Sequence, residues 1–175
     1  VGKSTLASKF PNSIWCDTGS ESLNMQVPTF EDLIGKNVVT DPINCWEDIR
    51  KATKVLGSIQ NAEGTVVVDT AQEAFNYCRD WFRRTKHVAH ESDLGHGKGW
   101  AAVADEFSEW VRELRWMGHG LIFIAHEKEI EVEEPSRKYQ RRVPRMGSSC
   151  LNIIDPFVNL QLYAHQARVG GKTTQ

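Results

Sequence analysis

Val1-Gly2-Lys3-Ser4-Thr5 opens the sequence and decides how the rest of it is read. These residues match the tail of the phosphate-binding pattern G-x-x-x-x-G-K-[ST], in which successive backbone N–H groups cradle phosphate oxygens. On that reading Val1, Gly2, Lys3, Ser4 and Thr5 bind a nucleotide. Lys3 reaches the β and γ phosphates, and the Ser4 hydroxyl takes one position on Mg²⁺. A helix starting here directs its positive end at the same anion. The front half of the pattern, with the strand before it, is expected upstream of Val1. A second copy, Gly171-Lys172-Thr173, is an internal control. Its leading glycine would have to stand at Gln166, and no helix has room to follow.

The first copy therefore depends on what lies downstream, and Thr65-Val66-Val67-Val68-Asp69 answers it. A continuous β-branched run ending in an acid is the pattern of a strand buried on both faces of a parallel sheet. Thr70 and Glu73 follow as a capping box, opening a helix with the inner stripe Ala71, Ala74, Phe75, Cys78, Trp81 and Phe82. Leu121-Ile122-Phe123-Ile124-Ala125 is a second apolar strand, ending at His126-Glu127. Ile14-Trp15-Cys16-Asp17 is a shorter one that runs into Thr18-Gly19-Ser20.

Helical patterns alternate with these strands. Leu6, Ala7 and Phe10 form the buried stripe of a short helix that Pro11-Asn12 stops. Trp46, Ile49, Thr53 and Leu56 recur at helical spacing up to Gly57, as do Trp100, Val103, Phe107, Trp110, Val111, Leu114 and Met117. Residues 21–36 carry no clear pattern. Residues 85–99 are polar with glycine at 95, 97 and 99, which reads as a mobile loop. In Lys128 to Val143, glutamates alternate with Ile130 and Val132, and the charge reverses past Pro135-Ser136. A hairpin closed over Glu134 to Arg137 sets Glu133 opposite Lys138 and Glu129 opposite Arg142. Pro156 to Tyr163 reads as a further strand. Alternating strand and helix define a parallel α/β class with right-handed crossovers.

Composition bounds the rest. The chain has 175 residues, 40% of them apolar, enough for one substantial core and too few for two full domains. One domain over residues 1–175 is expected. A net charge of −2 drives the protein neither onto nucleic acid nor onto an anionic membrane, so such contacts must be local. Cys16, Cys45, Cys78 and Cys150 are scattered without a C-x-x-C pair, which suits a reducing compartment. No apolar run reaches the roughly 18 residues of a membrane span. A soluble, cytoplasmic protein is expected, clipped at both ends.

Three acid–base groups complete the chemistry. Asp69 ends its strand where an acid holds Mg²⁺ beside the loop hydroxyl. Thr70 follows it, so the adjacent acid pair of many ATPases is absent. The carboxylate that activates water is then expected at the end of the intervening strand, which points to Glu21. His126 is delivered to the carboxyl edge of the sheet, where ligands of open parallel sheets bind, and there it can hydrogen-bond the γ-phosphate or the attacking water. His87, His90, Asp93 and His96 fit no standard metal spacing.

Gly2-Lys3-Ser4-Thr5-Leu6-Ala7, Asp17-Thr18-Gly19, Val66-Val67-Val68-Asp69-Thr70, Ser92-Asp93-Leu94-Gly95-His96-Gly97-Lys98-Gly99-Trp100 and Ile122-Phe123-Ile124-Ala125-His126-Glu127 stand in an order seen in one group. Up to about Tyr163 the chain resembles the phage-encoded RecA-like AAA ATPases of the Sak-type single-strand annealing and recombination group. The resemblance implies a RecA-like P-loop NTPase three-layer sandwich, with a mostly parallel central sheet and a β-hairpin insertion. It also implies ATP with Mg²⁺, a homo-oligomer with the nucleotide near a subunit boundary, and single-stranded DNA as partner, together with single-strand-binding or recombination proteins in the host cytoplasm. One departure stands out. Where that group often shows Asp-Thr-Glu-Gly, Gly19 follows Thr18 here and the acid is displaced to Glu21.

Single-stranded DNA needs a basic track with aromatic platforms. Arg137, Lys138, Tyr139, Arg141, Arg142 and Arg145 form one candidate, and Lys86, Lys98 and Trp100 with the nearby histidines another. The competing reading of the hairpin is a pair of solvated strands whose bases are matched by acids across the turn. Two rival functions share the same motifs: a small-molecule P-loop kinase, and a nucleotide-gated assembly module with little hydrolysis.

Overall fold

A computed structural model describes residues 2–18, 27–59, 64–135, 137–164, 167–169 and 172–174. Thr65–Asp69 forms the central strand β2, and all five of its residues are buried. It pairs in parallel with β1 (Ser13–Asp17) on one side and β3 (Gly120–Ile124) on the other. The register sets Asp17, Asp69 and Ile124 level at the carboxyl edge. Strand periodicity sorts the side chains into two layers. Cys16, Val66 and Val68 face the main core, whereas Trp15, Val67 and Ile124 pack with Ala7 on the opposite face.

The main core is built by α3 (Trp46–Ser58), α4 (Ala71–Lys86), α5 (Lys98–Trp116) and α6 (Ser148–Ile154). The helical stripes supply it: Trp46, Ile49, Thr53 and Leu56 are buried on α3, and Val103, Phe107, Trp110, Val111 and Leu114 on α5. Edge-to-face rings knit the helices together, with Phe75–Phe107 centroids 5.0 Å apart and Trp46–Trp110 centroids 5.3 Å apart. Both indole N–H groups are satisfied, Trp46 donating to Glu106 and Trp110 to Thr53, each at 2.9 Å.

Four expectations change. The opening helix α1 (Lys3–Ala7) is a single short turn that buries only Ala7, and Leu6 and Phe10 are exposed because the helix stops before a second turn could form a stripe. Unpatterned residues 27–36 carry a helix, α2 (Phe30–Ile34), opened by a reciprocal capping box between Thr29 and Asp32. The box expected at α4 is half made: Thr70 accepts from the Glu73 N–H, but the Glu73 carboxylate accepts from Asn76 at 3.0 Å instead. Pro156 to Tyr163 is not a strand. Asp155–Phe157 makes a 3-10 turn with proline at its start, and residues 158–164 pair with none of the described strands. This segment runs from Phe157, under the Arg115 guanidinium, to Tyr163, whose hydroxyl meets Arg142.

Residues 85–99 also differ from the loop read in the sequence. Helix α4 continues to Lys86, a 3-10 turn spans Glu91–Leu94, and α5 starts at Lys98. Glu91 organises the turn. Its side chain is fully buried and bonded to Arg79 at 2.7 Å and Arg83 at 3.1 Å. Burial alone pushes its carboxyl up, but bonds from Arg79, its own backbone N–H and Arg83 more than offset this and hold it at about 2. Gly99 must be glycine here, since a Cβ would lie 2.1 Å from the Glu91 carbonyl oxygen. The Arg79 guanidinium also sits 4.8 Å over the Trp100 ring.

The hairpin of β4 (Glu127–Glu134) and β5 (Arg137–Pro144) has the register expected from its charges. Glu133 meets Lys138 at 2.9 Å and Glu129 meets Arg142 at 3.0 Å. In the second copy, Lys172 and Thr173 lie in a strand, β7 (Lys172–Thr174), paired antiparallel with β6 (Ala167–Val169). Among the described residues no helix is long and apolar enough to cross a membrane.

Candidate nucleotide site

Gly2 caps α1 with φ 85°, a left-handed conformation that a side chain would strain. The chain thereby turns sharply into the helix, and Leu6 N–H donates to the Gly2 carbonyl at 2.9 Å. This turn faces the end of β2. Ser4 Oγ donates to Asp69 Oδ2 at 2.8 Å, joining residues 65 apart in the chain. The two motifs singled out in the sequence thus meet at one point. Lys3 is half-buried beside them, Thr5 is exposed, and among the described residues Lys3 makes no ion pair. Val1 and Glu21 lie outside the described residues.

Asp69 is 1% exposed, and its backbone is held by the neighbouring strand end. The β1–β2 ladder ends at Asp17 and Asp69, and the next residue, Thr18, extends it. Thr18 N–H donates to the Asp69 carbonyl at 2.8 Å, and Thr18 Oγ1 accepts from Thr70 N–H at 3.0 Å. The Tyr77 hydroxyl of α4 donates to the Thr18 carbonyl at 3.1 Å. His126 lies two residues past β3, exposed at this same edge, and its carbonyl accepts from Arg145 N–H at 2.7 Å.

The donor set suits Mg²⁺. This ion takes one or two protein oxygens and completes its octahedron with phosphate oxygens and water, rather than using an all-protein cage. A hydroxyl and a carboxylate in contact at a helix start, with a lysine beside them, meet that requirement. No group of three or more His, Cys, Asp or Glu among the described residues could hold a metal ion, and this includes the histidine-rich turn. There His90 and Asp93 cap the 3-10 turn instead, Asp93 accepting from His90 N–H at 2.8 Å. The cysteines are all free thiols. Burial raises those of Cys16 and Cys78, and that of Cys150 to about 12, which leaves them unreactive.

The DNA candidates separate. Trp100 is engaged by Arg79 on its face and by the edge of His90, at 5.6 Å, so its ring serves the fold. Lys98 is exposed at the start of α5. In the hairpin, directly paired residues share a face. One face carries Glu127, Glu129, Glu131 and Glu133 against Lys138 and Arg142. The other carries Lys128, Arg137 and Arg141 with Ile130, Val132, Tyr139 and Val143, and only Glu134 as an acid. Of the four bases of β5, Arg141 alone has no acid partner among the described residues.

The fold and the site therefore define a P-loop nucleotide-binding α/β domain, and comparison with known proteins gives the same class. A family model described as an AAA domain matches residues 1–175. The chain belongs to this AAA domain family, and so to the nucleotide-binding P-loop ATPases. No curated protein and no solved structure matches it.

Sequence reading missed the roles of Thr18, Tyr77 and Glu91. Tyr77 sits on the flank of the α4 stripe, where periodicity assigns nothing. Glu91 looks like any charged residue of a polar stretch. The one available signal was Arg79 and Arg83, a helical turn apart and facing an acid.

Proposed function

We propose that this domain binds Mg·ATP at Gly2, Lys3, Ser4 and Asp69 and hydrolyses it, and that it acts on single-stranded DNA as part of a homo-oligomer. The 2.8 Å contact between Ser4 Oγ and Asp69 Oδ2 carries the reading, because it joins the phosphate-binding turn to the strand-end acid. Ser4 and Asp69 would hold Mg²⁺, which would supply charge neutralisation at the β and γ phosphate oxygens. Lys3 would hold the same oxygens from the helix side. Glu21 would orient and deprotonate the attacking water, and His126 would report the γ-phosphate to the hairpin that begins at the next residue.

The DNA assignment is supported by the asymmetry of the hairpin. Its basic face presents Arg141 and Lys128, with Arg137 over the Tyr139 ring and paired to Glu134 at 3.0 Å, whereas Lys138 and Arg142 are matched by glutamates on the acidic face. A backbone of phosphates is drawn to the first and repelled by the second. A role in phage-type annealing or recombination follows from the family resemblance.

Two measurements test this proposal. Glu21→Gln is expected to slow phosphate release at least about 100-fold without loss of ATP binding. Arg141→Glu is expected to weaken binding of a labelled oligonucleotide about tenfold by fluorescence anisotropy, against little change for Lys138→Glu. Wild-type protein that binds ATP yet releases no phosphate with DNA present would support the assembly-module reading. Equal losses for the two hairpin variants would remove the face assignment.

A further inference from the structure

The β2 ladder stops at Asp69, yet the Asp69 carboxylate must hold its place against Ser4 Oγ. One residue grips the peptide group that joins Asp69 to Thr70. Thr18 is 7% exposed, donates its N–H to the Asp69 carbonyl at 2.8 Å, and receives Thr70 N–H on its hydroxyl at 3.0 Å. The same hydroxyl lies 3.2 Å from the Asp69 carbonyl and 3.3 Å from that of Thr70. A threonine hydroxyl both donates and accepts, so it serves the carbonyl and the amide at once. The residue is itself fastened from the helix layer by Tyr77, whose hydroxyl donates to the Thr18 carbonyl at 3.1 Å. Thr18 is also three residues before Glu21 in the chain, at the head of the segment that carries it.

We propose that Thr18, braced by Tyr77, is a positioning residue for the magnesium-side acid: it holds the Asp69–Thr70 backbone so that the carboxylate stays at Ser4. This inference rests on the Mg·ATP reading above. The contacts of Thr18 are with Asp69, Thr70 and Tyr77, so its action passes through Asp69. Its removal should therefore weaken what Mg²⁺ adds to nucleotide binding rather than nucleotide binding itself. Outer-shell partners of metal ligands commonly act in this way.

The test measures ATP affinity with and without Mg²⁺, using a fluorescent ATP analogue, for the wild type, Thr18→Val, Thr18→Ser and Tyr77→Phe. Thr18→Val keeps the side-chain shape and removes the hydroxyl. It is expected to cut the ratio of the two affinities about tenfold, with Mg²⁺-free binding unchanged. Thr18→Ser restores the ratio, and Tyr77→Phe lowers it about threefold. A merely structural residue would shift both affinities and the thermal midpoint together, with no change in the ratio, and that result overturns the proposal. A full wild-type ratio in both Thr18→Val and Tyr77→Phe also overturns it while leaving the Mg·ATP reading intact. A wild type whose binding ignores Mg²⁺ overturns that reading, and the positioning role with it.

Discussion

Lys3→Ala is expected to lower the affinity for ATP by roughly 10- to 100-fold while leaving the thermal midpoint at its wild-type value. The size follows from the loss of charge-assisted hydrogen bonds to phosphate, each worth about 1.5–3 kcal/mol. The selectivity follows from the structure. Among the described residues Lys3 makes no ion pair, and on α1 only Ala7 is buried, so truncating the half-buried lysine removes little packing. Isothermal titration with ATP, paired with a thermal melt, reads both quantities. Unchanged affinity would separate the Lys3 turn from the nucleotide. A lower midpoint together with weaker binding would recast Lys3 as a residue of the fold.

The second large effect is on stability. Glu91→Gln is expected to cost about 3 kcal/mol at pH 7, because removing one member of a buried charge pair leaves the other uncompensated. Arg79 would lose its carboxylate, and Arg83 would keep only Asp80, at 3.3 Å. The pH dependence has a definite sign. The folded Glu91 carboxyl is held at about 2, below its ordinary value of 4.5, so its contribution is complete above pH 4.5 and is lost as pH falls through about 2. The stability gap between wild type and Glu91→Gln should therefore narrow as pH is lowered from 5 towards 3. Urea unfolding across that range measures it. A gap that stays constant or widens on acidification would show that Glu91 stabilises by shape rather than by charge.

Much of this site was legible because its parts obey strong local rules. A lysine-serine turn that opens a helix and a valine run that ends in an acid each carry their own physical reason, and the sheet register brings them together. The hairpin was equally readable, since opposite charges at fixed spacing specify one pairing. What escaped notice depends on tertiary context. Thr18 matters only because β1 and β2 end level, which no single stretch of sequence states. Residues 85–99 read as a mobile loop because the partner of the Glu91 charge lies on the preceding helix, and because Gly99 answers a close backbone approach rather than a turn. The run from Val158 to Leu162 has the alternation of a strand, but a strand needs a neighbour, and none of the described strands pairs with it.

The central claim is that the Lys3–Ser4 turn and Asp69 close on one triphosphate and its magnesium. A crystal structure with Mg²⁺ and a non-hydrolysable ATP analogue tests it most directly. The expected result places Mg²⁺ about 2.1 Å from Ser4 Oγ, with Asp69 bound to it directly or through one water and Lys3 Nζ on the terminal phosphates. Density for the triphosphate elsewhere, with the Ser4–Asp69 hydrogen bond unbroken and no metal beside it, would contradict the account.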